Sequence, residues 1–298
     1  MMKPPLNSNG GNGKSSNAEL ESEKKEEVVK PLNIEDEAEK TLVALGMWRL
    51  PVDPMAIAKE EGIELAPGRY SERFDARIKF VRAEKTFILS YREACEGLTE
   101  GRVRFSIGHE LGHFYLEHHR KYLLGGQTHR SVSDFRSRDP RELEADEFSS
   151  ALLMPGALFA GALKMRNMTI CTLGSLSRLA ETAFKTSLTS TVRRYVGLDW
   201  EPCSMVVSKG GVVKWAEHSL SMKALHMGWI EYGTHISNTT PTAKLWERLG
   251  REVTLDGMEG RVEADIWFER PYRPRLWEEA MPLGYTGLVL TFLTVDED

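Results

Sequence analysis

The sequence predicts a mixed α+β chain: a helix-rich first part, a helix-turn-helix-like connector and a β-rich last third. Three observations carry this. Apolar residues recur at three-and-four spacing through most of the stretch from Ala38 to Tyr195. The string His109-Glu110-Leu111-Gly112-His113 lies inside that region. Beyond Trp200 the pattern changes to strand-like runs separated by glycine turns.

Residues 1–36 are mostly Asn, Gly, Ser, Lys and Glu, and Glu19 to Lys30 alternates charge with little apolar content besides Val28 and Val29. Such a segment buries too little to offset its ordering entropy, so a disordered tail is expected. Ala38, Leu42, Ala44 and Leu45 mark a first amphipathic helix. Asp53-Pro54 opens a second one, which Gly62 ends. Ala76 to Val81 and Thr86 to Ser90 read as a short hairpin, whose edge could pair with an extended peptide. Thr99 is placed to cap the next helix, which carries the His-Glu string.

On a helix, His109 and His113 share one face, and Glu110 stands beside the first of them. Two imidazoles so placed can hold one divalent ion, and the neighbouring carboxylate can take a proton from an activated water. The reaction this supports is hydrolysis of a carbonyl, most often a peptide bond. The competing reading is a surface helix with two ordinary histidines. Phe105, Ile107, Leu111, Phe114 and Leu116 weigh against it, because they call for burial. Gly108 and Gly112 are poor helix formers, and their presence suggests close approach by another element.

A catalytic metal of this kind takes a third protein ligand. Asp139-Pro140 opens a helix that offers Glu142, Glu144, Asp146 and Glu147, with Ala145, Phe148, Leu152 and Leu153 on its buried face. Glu142 shares that face; Glu144 and Glu147 read as a solvated rim. Asp146 is either a carboxylate that orients a ligating histidine or part of a surface salt bridge. Residues 120–138, polar and rich in Arg, Ser and Gly, read as a loop between the two helices, a candidate cover for the cleft.

Taken together, His109-Glu110-Leu111-Gly112-His113, Glu142-Leu143-Glu144-Ala145-Asp146-Glu147-Phe148 and Ala151-Leu152-Leu153-Met154-Pro155 resemble the ImmA/IrrE family of metallopeptidases. The resemblance is strong over residues 104–155, weaker over 176–216 and 261–293, and absent over 1–36. Ser149-Ser150 stands where small residues, often alanines, are usual. The resemblance implies a zincin-like metallopeptidase domain over residues 37–165. It implies His109, His113 and Glu142 as metal ligands and Glu110 as general base. Zinc is then the default ion, with manganese or another divalent ion as alternatives. It also implies a bacterial regulatory endopeptidase that cuts a helix-turn-helix (XRE-type) repressor in a stress or mobile-element response. For the last third, residues 200–298, it implies a GAF-like α/β sensor domain open to a small-molecule ligand.

Residues 166–199 form the connector. Leu176, Leu179, Ala180 and Phe184, a Lys185-Thr186-Ser187 turn, then Leu188, Val192 and Tyr195 have helix-turn-helix spacing. Arg193 and Arg194 could meet phosphates, yet two arginines are a thin footprint and packing is the favoured reading. The net charge of −5 also weighs against nucleic acid as a direct partner. Strands are expected at Ser204–Ser208, Gly211–Ala216, Gly260–Phe268 and Gly284–Leu293, with Lys209-Gly210-Gly211 as a hairpin turn. His218, His226, His235, Trp215, Trp229 and Trp267 are candidates for a ligand pocket, although such residues are more often core. Tyr115, His118, His119 and Arg141 are candidate oxyanion donors, with His118 and His119 more readily explained as solvated helix-end residues.

Three widely spaced cysteines, Cys95, Cys171 and Cys203, fit reduced thiols in the cytoplasm and no disulfide framework. No apolar run has the length of a membrane span or a signal peptide. The main alternative to an endopeptidase is a non-catalytic regulator that keeps the fold and binds DNA or a protein partner. An intact His109, Glu110, His113 and Glu142 set argues against it. A housekeeping peptidase of broad specificity is a third class, weakly disfavoured by the attached sensor-like domain.

Overall fold

Side-chain caps open the first two helices. Asn33 accepts the Asp36 amide and starts α1, Ile34–Ala44; Asp53 accepts the Met55 and Ala56 amides and starts α2, Pro54–Glu60, with proline in its first turn. The computed structural model describes residues 33–70, 74–95, 98–126, 139–165, 171–249, 256–270, 275–284 and 287–296. Most of the expected tail, residues 1–32, lies outside the described residues, and α1 begins two residues before the expected end of the tail at 36.

Strands β1, Glu64–Gly68, β2, Ala76–Val81, and β3, Thr86–Arg92, form a three-stranded sheet in the order β1-β3-β2. The hairpin β2–β3 is the expected one; β1, parallel to β3, was not legible in Glu64-Leu65-Ala66-Pro67-Gly68, where Pro and Gly mask the strand signal. Helix α3, Glu100–Tyr115, packs on β2 and β3, and α5, Pro140–Leu153, packs along α3. Ile57, Ile78, Leu89, Ile107, Leu111, Phe148 and Leu152 close one core among them.

Helix α4, Glu117–Leu124, follows α3 directly and corrects the expectation of a loop from residue 120. Glu117 and Lys121 pair at i,i+4 and Leu123 is buried, so polar composition concealed a helix. The rest of that loop, residues 127–138, lies outside the described residues.

Helix α6, Gly156–Lys164, leads to α7, Leu173–Leu179, a wide helical turn over Ala180–Phe184, and α8, Leu188–Leu198. Leu176, Leu179, Phe184, Val192 and Tyr195 point into a second core, shared with Met205, Val207, Leu290 and Phe292 of the C-terminal sheet. That sheet contains β4, Cys203–Lys209, β5, Val212–His218, β6, Met258–Glu263, β7, Arg275–Pro282, and β8, Leu288–Val295. It is antiparallel throughout, in the order β5-β4-β8-β7-β6. Gly210 and Gly211 both have positive φ (60° and 73°), as the tight β4–β5 turn requires. The other face of the sheet carries a third core with Val206, Val213, Trp267, Phe268 and Leu293. Short helices α9, Leu220–Ala224, and α10, Pro241–Arg248, complete the unit.

The strand expected over 260–268 ends at Glu263, because Ala264–Ile266 turns into a 3-10 helix that delivers Trp267 and Phe268 to the third core. Strand β7 was not expected, since Glu278 and Glu279 interrupt its apolar run. Both carboxylates are buried and hydrogen-bonded. Glu278 accepts the Thr242 amide (2.7 Å) and the Trp267 indole N–H (2.7 Å), and Glu279 accepts the Leu173 amide (3.0 Å).

Burial pushes the Glu279 carboxyl from its ordinary 4.5 up to about 7. The folded state therefore holds this proton more tightly than the unfolded chain. Stability from this group is fully present below pH 4.5 and is lost as pH rises to about 7. Glu279→Gln keeps an acceptor for Leu173 and removes the charge. It is expected to stabilise the fold at pH 8 by roughly 2–4 kcal/mol, with the gain vanishing below pH 5. Denaturant unfolding at the two pH values checks this; equal gains at both would contradict it.

Candidate metal centre

Thr99 accepts the Arg102 amide and sets the start of α3, so His109 and His113 fall in its last two turns. Asp139 caps α5 through the Arg141 amide and brings Glu142 into the first turn facing those histidines. The two helices lie close at Gly108 and Gly112, where α5 presents Ser149 and Ala145. The Ser149 hydroxyl donates to the Phe105 carbonyl (2.8 Å), which gives the serine at this position a cross-helix role.

The donors converge. The Nε2 atoms of His109 and His113 are 3.1 Å apart; Glu142 Oε2 is 3.4 Å from the first and Oε1 3.7 Å from the second. Ligands at about 2.0–2.1 Å in tetrahedral array stand about 3.3–3.4 Å apart, so the three side chains fit a divalent ion with little movement. Both histidines are buried and Glu142 is mostly so. Among the described residues, this is one of two groups whose donor atoms could hold a metal.

Asp146 sits four residues after Glu142, and its Oδ1 lies 2.8 Å from His109 Nδ1. The ring therefore donates from Nδ1 to Asp146, which turns Nε2 toward Glu142 and His113. Burial would depress the His109 pKa, but its hydrogen bonds to Asp146 and Glu142 outweigh that and push it up to about 10. Surroundings that hold a proton so firmly also suit a cation. Asp146→Asn is expected to weaken divalent-ion binding about 10- to 100-fold, read by competition with a chromophoric chelator. An unchanged affinity would show that Asp146 does not orient the ring.

Asp146 also faces an arginine. Its Oδ2 lies 3.9 Å from Arg193 Nη1 on α8, while Arg193 Nε donates to Glu217 on β5 (2.9 Å). Arg194 donates to the Met154 carbonyl (3.0 Å) and pairs with Glu35 of α1. Both arginines suggested for phosphates therefore make intramolecular ion pairs.

Glu110 is fully buried, and its Oε2 accepts the amide of Ile78 on the edge strand β2 (2.9 Å). Spacing alone could not show this contact, 32 residues away in sequence. Glu144, expected on a solvated rim, instead meets His118 (2.6 Å) and His119 (2.9 Å) through one oxygen. His119 is not a solvated end residue, since only 1% of it is exposed. Tyr115 donates its hydroxyl to Glu61 (2.8 Å), and Arg141 returns to its own cap, Asp139. In the C-terminal unit, His218 is buried against Trp229 and Phe268 with Nδ1 2.8 Å from Ser204 Oγ, and burial lowers its pKa to about 4. Trp267 is also core.

Residues 96–189 match the family of IrrE N-terminal-like domains, a range that contains His109, Glu110, His113, Glu142 and Asp146. The chain is also similar in structure to a Mycobacterium tuberculosis transcriptional regulator. That likeness has a TM-score of 0.55 at 12% identity and covers 88% of this chain and 87% of that chain. At this identity the likeness is one of fold. A comparison with curated proteins finds no match. The two converging histidines and the carboxylate lie within the range, residues 96–189, over which this chain is similar to IrrE N-terminal-like domains.

Proposed function

We propose that this chain is a divalent-metal-dependent endopeptidase, zinc being the default ion, that cuts a helix-turn-helix (XRE-type) transcriptional repressor at one site. The observation that carries the reading is the convergence of His109, His113 and Glu142 beside a buried Glu110. An ion held by those three residues supplies a Lewis acid and an acidified water. Glu110 takes the proton from the attacking water on its carboxylate and passes it to the leaving amine. The Ile78 amide fixes the Glu110 side chain through Oε2. Strand β2 is an edge of its sheet, so an extended substrate segment can add alongside it and present a backbone carbonyl near Glu110. His109 keeps its orientation through Asp146.

A GAF-like sensor role for residues 200–298 is part of this reading, supported by an antiparallel sheet covered on both faces. Arg193 joins Glu217 of that sheet to Asp146 behind the metal ligand, which gives the unit a physical route to the centre. A repressor substrate places the enzyme in the cytoplasm, in keeping with three cysteines that form no disulfide. No helix among the described residues is long and apolar enough to cross a membrane.

A regulator that binds DNA without catalysis is the competing reading, and the apolar faces of α7 and α8 argue against it by lying in the second core. Co-expression of candidate repressors with the wild-type chain or with Glu110→Gln, read by intact mass, separates the two. The expected result is one discrete cut with wild type alone. Equal cutting by both chains would overturn the mechanism, and specific DNA retention without any cut would favour the regulator.

A further inference from the structure

We propose that His118, His119 and Glu144 form a second, weaker site for a divalent transition-metal ion beside the first. The two histidines occupy the first turn of α4, and Glu144 lies two residues beyond Glu142 on α5. Residues two apart on a helix point in nearly opposite directions. Thus α5 offers one carboxylate to the histidines of α3 and another to those of α4. Both α4 imidazoles bring Nε2 to the same Glu144 oxygen, at 2.6 and 2.9 Å, and the three donor atoms all lie within 4.8 Å of one another.

Opening those two contacts to about 3.3 Å, the tetrahedral donor spacing, makes room for the ion. The movement is small for His118 and Glu144, whose side chains are 49% and 33% exposed. Their exposure also lets solvent fill the remaining coordination positions. Two imidazoles and one carboxylate select zinc, cobalt, nickel or copper over magnesium or calcium.

The difference between the sites lies behind the ligands. Asp146 supports the His109 ring, whereas the buried Nδ1 of His119 has no hydrogen-bond partner. Partners of that kind contribute about 10- to 100-fold in affinity, so the second site should bind at least tenfold more weakly. The His119 ring packs 4.8 Å from that of His113, so the second ion's ligand touches a ligand of the first. The second site therefore fills only when free metal exceeds what the first centre requires.

The test is calorimetric titration of the stripped full-length chain with zinc, supported by native mass spectrometry. Wild type should bind in two steps, the second at least tenfold weaker. His118→Ala and, independently, Glu144→Gln should each lose the weaker step and keep the stronger one, while His226→Ala and His235→Ala keep both. Circular dichroism confirms folding, and the half-exposed His118 variant decides if the Glu144 variant fails to fold. A single step in wild type, a weak step that survives His118→Ala, or loss of both steps in that variant would overturn the proposal. Binding is read without any substrate, so the result is independent of whether the chain cleaves peptides.

Discussion

Glu110→Gln is expected to slow peptide cleavage by about a hundred- to ten-thousand-fold while leaving metal content and fold unchanged. General acid–base catalysis contributes on that order. Glutamine has the same shape, and its amide oxygen can accept the Ile78 N–H as Glu110 Oε2 does. It cannot take up a proton from water. The side chain is fully buried, so solvent does not substitute for it. Single-turnover cleavage alongside metal analysis checks both halves. A variant that loses metal as well would show that Glu110 holds the site together instead of acting in the reaction.

Gly112→Val is expected to destabilise the fold by about 1–3 kcal/mol and to weaken metal binding together with it. A Cβ at Gly112 would stand 3.1 Å from Ala145 Cα and 3.2 Å from the Ala145 carbonyl oxygen, backbone atoms of α5 that cannot rotate away. Valine adds two methyl groups to that crowding. Helix α5 must then retreat, and it carries Glu142, three residues before the contact. Gly108 makes the same demand one turn earlier, where a Cβ would lie 2.5 Å from Ser149 Oγ. Gly161→Ala on α6 is the control: nothing lies within 4 Å of its Cβ, so a gain of about 0.5–1 kcal/mol from helix propensity is expected. Thermal unfolding and zinc titration of the two variants measure these effects. Full metal affinity in Gly112→Val would separate the helix crossing from the centre.

The residues that were legible in advance owe it to local rules. His109 and His113 share a face because four residues make about one helical turn, and Thr99, Asp53 and Asp139 announce helix starts because short polar side chains cap free amides. The glycines of the motif signalled close approach, and the structure supplies Ala145 and Ser149 as what approaches. What escaped is set by distant contacts. Strand β7 carries two buried glutamates that alternation rules reject, and hydrogen bonds from Thr242, Trp267 and Leu173, all outside the strand, make them acceptable there. Glu144 looked like a rim residue because nothing local says that α4 brings two histidines to it. Likewise, the link from Glu217 through Arg193 to Asp146 joins three elements that no periodicity connects.

The most direct test of the account is zinc K-edge absorption on the His118→Ala chain loaded with one equivalent of zinc. The account predicts nitrogen and oxygen neighbours only, at about 2.0–2.2 Å, with the scattering pattern of two imidazoles. It also predicts that this spectrum is lost in the additional variant His113→Ala. A sulfur neighbour at about 2.3 Å, or a spectrum unchanged by removing His113, would place the metal elsewhere and contradict the assignment of His109, His113 and Glu142.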